Sequence, residues 1–208
     1  DIALAELTGA KLHIAHASTR GAVSSIREAK LRGVNVTCET APHYFTITEK
    51  EVIGYDTNAK MNPPLRTEDN LKAIKEGLRD GTIDVIATDH APHEVSEKEV
   101  EFDRALFGIV GLETALPLTL RLVHDGVISI SEAISKLTIN PVRILGLNKG
   151  TLSVGSDADI TIIDPDKEWQ VDVTKFKSKG RNSPFQGWRV KGAVEVVIVG
   201  GHIKTNYL

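Results

Sequence analysis

Short apolar segments alternate with longer amphipathic segments over residues 1–146, and this alternation limits the fold more than any other feature. The apolar segments predict strands, and the amphipathic segments, which tend to close on glycine, predict helices. The predicted strands are 10–18, 34–40 and 83–89, and the predicted helices are 19–33, 67–81, 111–126 and 129–146. Strands that alternate with helices form βαβ units, so we predict an α/β fold with a parallel sheet.

Local signals indicate where these helices start and stop. Thr19 or Ser18 suits the N-cap of the helix over 19–33. Proline favours the first turn of a helix, so Pro141 is expected to start a new turn within 129–146. Residues 1–9 are typical of the last two turns of a helix.

The pattern changes near Gly150. Residues 150–164 and 190–208 are rich in strand-forming residues, with Gly-Ser and Gly-Gly turn signals, and 181–188 is typical of an irregular loop. We therefore predict a boundary near 148–151. Residues 1–148 would form the α/β part, and residues 149–208 would form a small all-β module of the β-sandwich type.

The composition excludes several classes of protein. A net charge of −3 gives no reason to expect a nucleic acid or an anionic membrane as partner. No apolar run approaches the ~20 residues that span a bilayer, and no signal-peptide pattern opens the sequence. Cys38 is the single cysteine, which excludes an internal disulfide framework and a zinc site of several cysteines. These features favour a cytoplasmic protein.

Histidine or aspartate follows each predicted strand of the α/β part. His16 follows the first strand, His43 follows the second, and Asp89, His90 and His93 follow the third. In folds of parallel strands, reactive groups collect where the strands end. We therefore expect a functional site at this edge of the sheet.

Strand geometry ranks these candidates. Side chains alternate between the faces of a strand, so His13 and His16 are expected to point in opposite directions. His16 is nearer the strand end and is the better ligand, whereas His13 is expected to be structural. By the same rule Asp89 and His90 diverge, with Asp89 facing the site or, alternatively, anchoring a loop. His93 follows Pro92 and is expected on a loop that can fold back over the site.

The residue types suit hydrolysis at a metal ion. Imidazole and carboxylate bind zinc, which lowers the pKa of bound water toward ~7. A carboxylate that contacts the water also moves a proton. Nucleophilic catalysis has less support, because no G-x-S-x-G motif is present and Cys38 lies in mid-strand like a small buried hydrophobe.

Several stretches of the chain match the motifs of one enzyme family. The segment "IATDHAPHEVSEK", which ends at Lys98, resembles the second signature of the dihydroorotases. The stretches "HIAHAST", "ETAPHYF", "KMNPPLR" and "FGIVGLETALPL" agree as well, and "GTLSVGSDADITIIDPD" is similar to the small β-module of the amidohydrolase superfamily. The resemblance implies a metal-dependent (β/α)8 barrel that interconverts dihydroorotate and N-carbamoyl-aspartate in pyrimidine synthesis.

The resemblance also implies a role for individual residues. His16 matches a zinc ligand at the end of the sixth strand. Asp89 matches the metal-binding aspartate that ends the eighth strand and shuttles the proton of the attacking hydroxide. The remaining matches are to substrate-binding residues: Asn62 to the pyrimidine ring, His93 to the substrate carboxylate, and the Phe107–Gly108 backbone to the ring amide. It implies no firm role for His43 or His90.

Parts of the family pattern are not found in these 208 residues. The resemblance implies a binuclear zinc site that also uses a His-x-His pair, an acidic or carbamylated-lysine bridging ligand, and a further histidine. By this resemblance the chain corresponds to strands six to eight of a partial barrel. The remaining metal ligands and the other strands of the β-module are then expected before Asp1. We therefore expect the isolated chain to be inactive.

The residues between 94 and 107 are expected to form a mobile loop over the site.

Other functions and partners remain open. Related ring hydrolases, allantoinase and hydantoinase, share the "PHY" and Pro-Pro-x-Arg motifs. Asn62 and the His-Ala-Pro-His run nevertheless favour dihydroorotate as the substrate. A non-catalytic relative that acts as a scaffold for aspartate carbamoyltransferase is the other alternative. The expected partners are a small-molecule substrate, a second copy in a homodimer, and aspartate carbamoyltransferase.

Overall fold

The computed structural model describes residues 1–206, so the last two residues of the predicted β-rich tail, 207–208, lie outside the described residues. The strands are β1 (Leu12–Ile14), β2 (Val36–Thr40), β3 (Val85–Ile86), β4 (Ile160–Gln170), β5 (Arg189–Val199) and β6 (His202–Asn206). The helices are α1 (Ile2–Thr8), α2 (Arg20–Leu31), α3 (Glu68–Arg79), α4 (Val95–Lys98), α5 (Leu112–His124), α6 (Ile130–Leu137) and α7 (Ile139–Leu145). Short 3-10 helices cover Pro42–Phe45, Glu49–Val52, Thr57–Ala59 and Val173–Lys175.

The first three strands form a parallel sheet in the order β1-β2-β3, which confirms the prediction of βαβ units. All three strands are shorter than predicted. The chain leaves the extended conformation soon after β1 and β3, because His16 and Asp89 adopt left-handed backbone angles, with φ of 54° and 48°. The ends of the strands are therefore sharp turns rather than continuing strand.

Local sequence signals account for most helix ends. α2 begins after Thr19, whose Oγ1 accepts a hydrogen bond from the Ala22 N–H, as the N-cap prediction requires. The predicted helix over 129–146 is divided at Thr138, whose backbone is not helical. α7 then begins at Ile139, two residues before Pro141, so the expected start at Pro141 was slightly wrong. Proline is tolerated in this first turn, where its missing N–H would have no helical partner.

The second sheet is antiparallel, in the order β4-β5-β6. Residues 150–159, which were predicted to be β-rich, contain no strand, and β4 begins only at Ile160. Gly150 and Gly155 have positive φ in this stretch, and such turn geometry interrupts a strand. The irregular segment predicted over 181–188 lies between the 3-10 helix at 173–175 and β5.

One hydrophobic core lies between the parallel sheet and its helices. Ile26 of α2, Ile74 of α3 and Leu118 of α5 are almost fully buried in it. Phe185, from the segment before β5, is buried in the same cluster at 1% exposure. Residues on both sides of the boundary proposed at 148–151 thus share apolar contacts, and the boundary itself stays a prediction. Within residues 1–206, no helix combines the length and the apolar character that a bilayer span requires.

Candidate functional site

The ends of the three parallel strands bring two histidines to one carboxylate. His16 Nε2 lies 3.8 Å from Asp89 Oδ1, and His43 Nε2 lies 3.9 Å from Asp89 Oδ2. His16 follows β1, His43 follows β2 and Asp89 follows β3. The structure therefore places the predicted His16 and Asp89 together and adds His43, for which the family resemblance implied no firm role.

Backbone conformation aims two of these side chains. Both His16 and Asp89 have positive φ, which is uncommon for residues other than glycine. Strained backbone of this kind persists only where the surrounding structure holds it, and it clusters at functional sites. Here it turns both side chains away from the strand direction and toward each other.

Glu39 contacts both histidines of the first strand exit. Its Oε2 lies 3.2 Å from His13 Nε2, and its Oε1 lies 3.5 Å from His16 Nδ1. The prediction that His13 and His16 point in opposite directions was therefore wrong. The alternation rule holds only within a strand, and β1 ends at Ile14, before the turn at His16. Sequence reasoning missed Glu39, although it stands inside the "ETAPHYF" stretch at a strand end.

His43 is a buried, neutral imidazole. Its residue is 1% exposed, and its Nε2 has no hydrogen-bond partner among the described residues. Burial, and then the neighbouring imidazole of His16, lower the pKa of His43 to about 3. At neutral pH this ring therefore offers a lone pair or an N–H to whatever binds beside Asp89.

His90 has a structural role. Its Nδ1 accepts a hydrogen bond of 3.1 Å from the Gly111 N–H, and its backbone bridges to Ile109. The His90 ring is thus bonded to the Gly111 backbone, whereas the Asp89 carboxylate lies beside His16 and His43. Divergence of Asp89 and His90 by strand alternation stays a prediction, because β3 ends at Ile86, before both residues. His90 fixes the chain beyond β3.

His93 is engaged at both ring nitrogens. Its Nε2 lies 2.8 Å from the Phe107 carbonyl oxygen, and its Nδ1 lies 3.4 Å from Glu97 Oε2. A substrate group that bound this ring would have to replace one of these contacts. The arrangement nevertheless joins His93 directly to the Phe107–Gly108 segment, two of the predicted substrate-binding elements.

Gly108 lies where two backbone segments approach closely. A Cβ at this position would stand 2.4 Å from the Ala91 Cβ, and φ is 113°, so only glycine fits. Its N–H donates to the Lys60 carbonyl at 2.9 Å. Its carbonyl accepts from Lys98 Nζ at 3.2 Å and from Asn182 Nδ2 at 3.1 Å. The N–H and the carbonyl of Gly108 are therefore both already hydrogen-bonded. Contact of Gly108 with a ring amide would rely on the close approach of its backbone and not on a free N–H.

The segment between 94 and 107 is more structured than predicted. It contains α4, which begins with a capping box between Glu94 and Glu97. Lys98, at the end of α4, is 3% exposed, and its Nζ donates to the Leu106 and Gly108 carbonyls. Burial, and then the nearby charge of Lys60, lower the pKa of the Lys98 ammonium to about 8. Lys98, the last residue of the signature stretch, thus anchors the segment, and its mobility stays a prediction.

Asn62 is exposed, between the 3-10 helix at 57–59 and α3. Its neighbour Lys60 connects this segment to the others, because the Lys60 carbonyl accepts from the Gly108 N–H and the Lys60 ammonium lies 4.5 Å from the centre of the Phe107 ring. The predicted contact of Asn62 with a substrate ring stays a prediction.

The donor set around Asp89 suits part of a metal site. No group of three or more His, Cys, Asp or Glu side chains within residues 1–206 is arranged to hold a metal ion. Catalytic zinc takes at least three protein ligands, and the predicted ligands His16 and Asp89 would supply two. Nε2 of His43 has no hydrogen-bond partner among the described residues, and Nδ1 of His16 makes only the 3.5 Å ion-pair contact with Glu39 and no hydrogen bond. Neutral imidazole beside carboxylate is the donor chemistry that zinc binds.

A cavity of about 490 Å³ lies elsewhere, between α5 and the antiparallel sheet. Its lining includes Leu116, Trp169 and Phe176 but no histidine. Two carboxylates, Glu113 and Asp172, also line it, but they lie on α5 and just after β4, and not at the ends of the parallel strands where reactive groups of such folds collect. The cluster around Asp89 is therefore the better candidate for an active site.

Comparison with known proteins identifies the family of this chain. The profile of the amidohydrolase family matches residues 3–204, and the chain belongs to this family. Among individual relatives, it is 61% identical over 203 residues to a dihydroorotase of Geobacter metallireducens and 62% identical over 203 residues to a dihydroorotase of Syntrophotalea carbinolica. Each match covers 98% of this chain and 48% of the relative, so the chain spans about half the length of these curated relatives.

Solved structures share the fold. L-hydantoinase (dihydropyrimidinase) from Arthrobacter aurescens matches 99% of this chain and 47% of its own, with a TM-score of 0.93 and 33% identity. The inactive dihydroorotase-like domain of a Chaetomium thermophilum CAD-like multifunctional protein matches 97% of this chain and 53% of its own, with a TM-score of 0.74 and 26% identity. The mixed α/β architecture is thus that of amidohydrolases.

Proposed function

We propose that the whole protein, meaning this chain with any segments that its gene adds to it, is a dihydroorotase. It would interconvert (S)-dihydroorotate and N-carbamoyl-L-aspartate in pyrimidine biosynthesis. The observation that carries this proposal is the convergence of His16 and Asp89 at the strand ends of a chain 61% identical to a dihydroorotase. Its proposed location is the cytoplasm, which suits a chain with one reduced cysteine.

We further propose that β1, β2 and β3 are strands six to eight of a (β/α)8 barrel, within a unit of residues 1–148. The parallel order β1-β2-β3 and the helix after each strand support this assignment. Residues 149–208 would contribute to a small β-module, with its antiparallel sheet as the supporting observation.

The proposed cofactor is a pair of zinc ions, with His16 and Asp89 as two of their ligands and the other ligands from segments outside this chain. When bound, zinc supplies Lewis acidity that polarises the scissile amide carbonyl and makes a water molecule more acidic. Glu39 would hold the His16 ring in place through the 3.5 Å contact at Nδ1, leaving Nε2 to face Asp89.

Asp89 would move the proton of the reaction. In hydrolysis the water oxygen bonds to the ring carbonyl carbon, and the carbon–nitrogen bond of the ring breaks. The Asp89 carboxylate accepts a proton from the water and delivers it to the departing amide nitrogen. The neutral His43 ring, 3.9 Å from the same carboxylate, adds no positive charge that would hold this proton off Asp89.

Substrate recognition would use the segments around His93 and Phe107. His93 is proposed to bind the substrate carboxylate, because a histidine N–H makes a strong charge-assisted hydrogen bond to such a group. Asn62 is proposed to contact the pyrimidine ring, and Phe107 and Gly108 to contact the ring amide. The 2.8 Å contact between His93 Nε2 and the Phe107 carbonyl supports a shared subsite.

Two alternatives have observations in their favour. The fold match to a hydantoinase at a TM-score of 0.93 favours another cyclic amide as substrate. The match to an inactive dihydroorotase-like domain favours a non-catalytic scaffold for a partner such as aspartate carbamoyltransferase. Retention of His16, Asp89 and His93 supports the catalytic proposal over the scaffold.

A substrate panel tests the proposal. The whole protein, purified with zinc, would be assayed against dihydroorotate, dihydrouracil, hydantoin and allantoin. We expect the highest kcat/KM for dihydroorotate. A preference for hydantoin or allantoin would support the ring-hydrolase alternative, and turnover of none of the four would support the scaffold. Size-exclusion chromatography of the same sample, alone and with aspartate carbamoyltransferase, tests the proposed homodimer and that partner.

A further inference from the structure

Asn182 joins two segments of the candidate site from a distant part of the chain. It lies in the irregular segment 181–188 before β5 and is 4% exposed. Its Nδ2 donates to the Ala91 carbonyl at 2.9 Å and to the Gly108 carbonyl at 3.1 Å, and its Oδ1 accepts from the His93 N–H at 3.0 Å. Its backbone carbonyl accepts from the Val110 N–H at 2.8 Å. These bonds connect residues 91–93 with residues 108–110.

The amide of Asn182 fits this place in one orientation only. Its nitrogen faces two carbonyl oxygens, and its oxygen faces an N–H. Rotation of the amide by 180° would set oxygen against oxygen and lose all three bonds. A buried amide whose donors and acceptor are all used rigidifies the groups that it joins.

The backbone around Asn182 is packed tightly against the same segment. A Cβ at Gly180 would lie 2.8 Å from the Pro92 Cβ and 2.8 Å from Asn182 Oδ1. Real side chains do not approach so closely, so residue 180 must be as small as glycine for residue 182 to reach its partners. Gly180 and Asn182, the two neighbours of Arg181, therefore both contact residues 91–93.

We propose that Asn182 is a positioning residue for substrate recognition, which sets the distance between His93 and the Phe107–Gly108 backbone. Asn182 is not placed against the substrate itself and acts only through His93 and Gly108, to which it is hydrogen-bonded. The identity of the substrate groups that His93 and Phe107 recognise rests on the proposed function. The positioning itself rests on the hydrogen bonds of Asn182.

Kinetics of an Asn182→Ala variant of the whole protein test this proposal. Loss of the bridge lets the two recognition segments separate, so KM for dihydroorotate should rise about tenfold, as the loss of one good hydrogen bond implies, while kcat changes by less than about threefold. KM for dihydrouracil, which lacks the carboxylate, should rise less. Asn140→Ala is the matched control, because Asn140 Nδ2 also donates to a backbone carbonyl, that of Asp84, at the other end of β3. The control should leave KM unchanged.

Hydrogen exchange gives a readout that does not depend on activity. In Asn182→Ala, the amides of Ala91, His93 and residues 108–110 should exchange faster than in the unaltered protein, and in Asn140→Ala they should not. Asn182→Asp gives a second variant of nearly the same shape, which keeps the acceptor for the His93 N–H and loses the donor to both carbonyls; it should show the same acceleration.

The two proposals fail in different ways. Unchanged exchange at both segments in the Asn182 variants would overturn the positioning role, whatever the substrate. A rise in KM no larger than that of the Asn140→Ala control would overturn it as well. If the unaltered protein turns over no dihydroorotate, the proposed function fails, and the exchange measurement still decides whether Asn182 positions the two segments.

Discussion

The carboxylate of Asp89 lies 3.8 Å from Nε2 of His16, although 73 residues separate the two along the chain. Both residues have positive φ just beyond parallel strands, and both side chains therefore meet at the same edge of the sheet. Strand alternation alone does not define where these two side chains point, and the two backbone turns bring them together into one site.

Glu39→Gln should weaken the support of His16. The carboxylate of Glu39 contacts His13 and His16, and its neutral amide would hold the His16 ring less firmly. Changes to groups that orient a metal ligand typically cost about 10–100-fold in metal affinity or activity. We expect a loss of that size in kcat/KM for dihydroorotate and a lower zinc content by atomic absorption. Glu28→Gln, at an exposed helix position, is the control, and an equal loss there would contradict the role of Glu39.

His93→Ala should act mainly on substrates that carry a carboxylate. A charge-assisted hydrogen bond is worth about 1.5–3 kcal/mol, so kcat/KM for dihydroorotate should fall by about 10–100-fold. Dihydrouracil, which lacks the carboxylate, should lose much less. An equal loss for both substrates would mean that His93 serves chiefly to hold Phe107 through their 2.8 Å contact.

Cys38 should resist alkylation in the folded protein. It is 0% exposed, and burial, followed by the charge of Asp84, raises the pKa of its thiol to about 11. At pH 8 the thiolate is therefore about a hundredfold scarcer than for an ordinary cysteine, and we expect iodoacetamide to react at least ~100-fold more slowly than in urea. Comparable rates in the two conditions would contradict the burial of Cys38.

The raised pKa of the Cys38 thiol also makes the stability of the fold depend on pH. Between pH 9 and pH 11 the folded state keeps the Cys38 proton that the unfolded state loses, so this group's contribution to the free energy of unfolding falls as pH rises through that range. Cys38→Ala removes the contribution. The difference in unfolding free energy between the unaltered protein and this variant should therefore shrink from pH 8 to pH 11, as measured by urea denaturation.

The 208-residue chain alone should bind zinc weakly, dissolve poorly and show no dihydroorotase activity. His16 and Asp89 are the two ligands proposed in this chain, and a catalytic zinc takes more. Within residues 1–206, β1 and β3 each pair only with β2, and such open edges favour aggregation. Zinc titration and a dihydroorotate assay on the purified chain test this expectation, and measurable turnover would show that other residues form the site.

Much of the fold could be predicted because local periodicity determines it. The helices α2, α3 and α5 follow from apolar spacing and caps, and the parallel pairing of the strands follows from their alternation with helices. The direction of His16 could not be predicted, since positive φ at a residue other than glycine leaves no mark in the periodicity. The contacts of Asn182 with Ala91 and Gly108 span 91 and 74 residues, and no local signal reaches that far. His43 stood at a predicted strand end, but its burial and unpartnered nitrogen appear only in three dimensions.

The most direct test of the proposed mechanism is the rate of dihydroorotate hydrolysis by Asp89→Asn in the whole protein. Asparagine keeps the shape of the side chain near His16 and His43 but cannot accept a proton at neutral pH. We expect kcat to fall by at least ~10²-fold, the lower range for loss of general acid–base catalysis. Asp125→Asn, at an exposed position, should keep the full rate. Turnover by Asp89→Asn within a few-fold of the unaltered protein would contradict the assignment of Asp89 and, with it, the site proposed here.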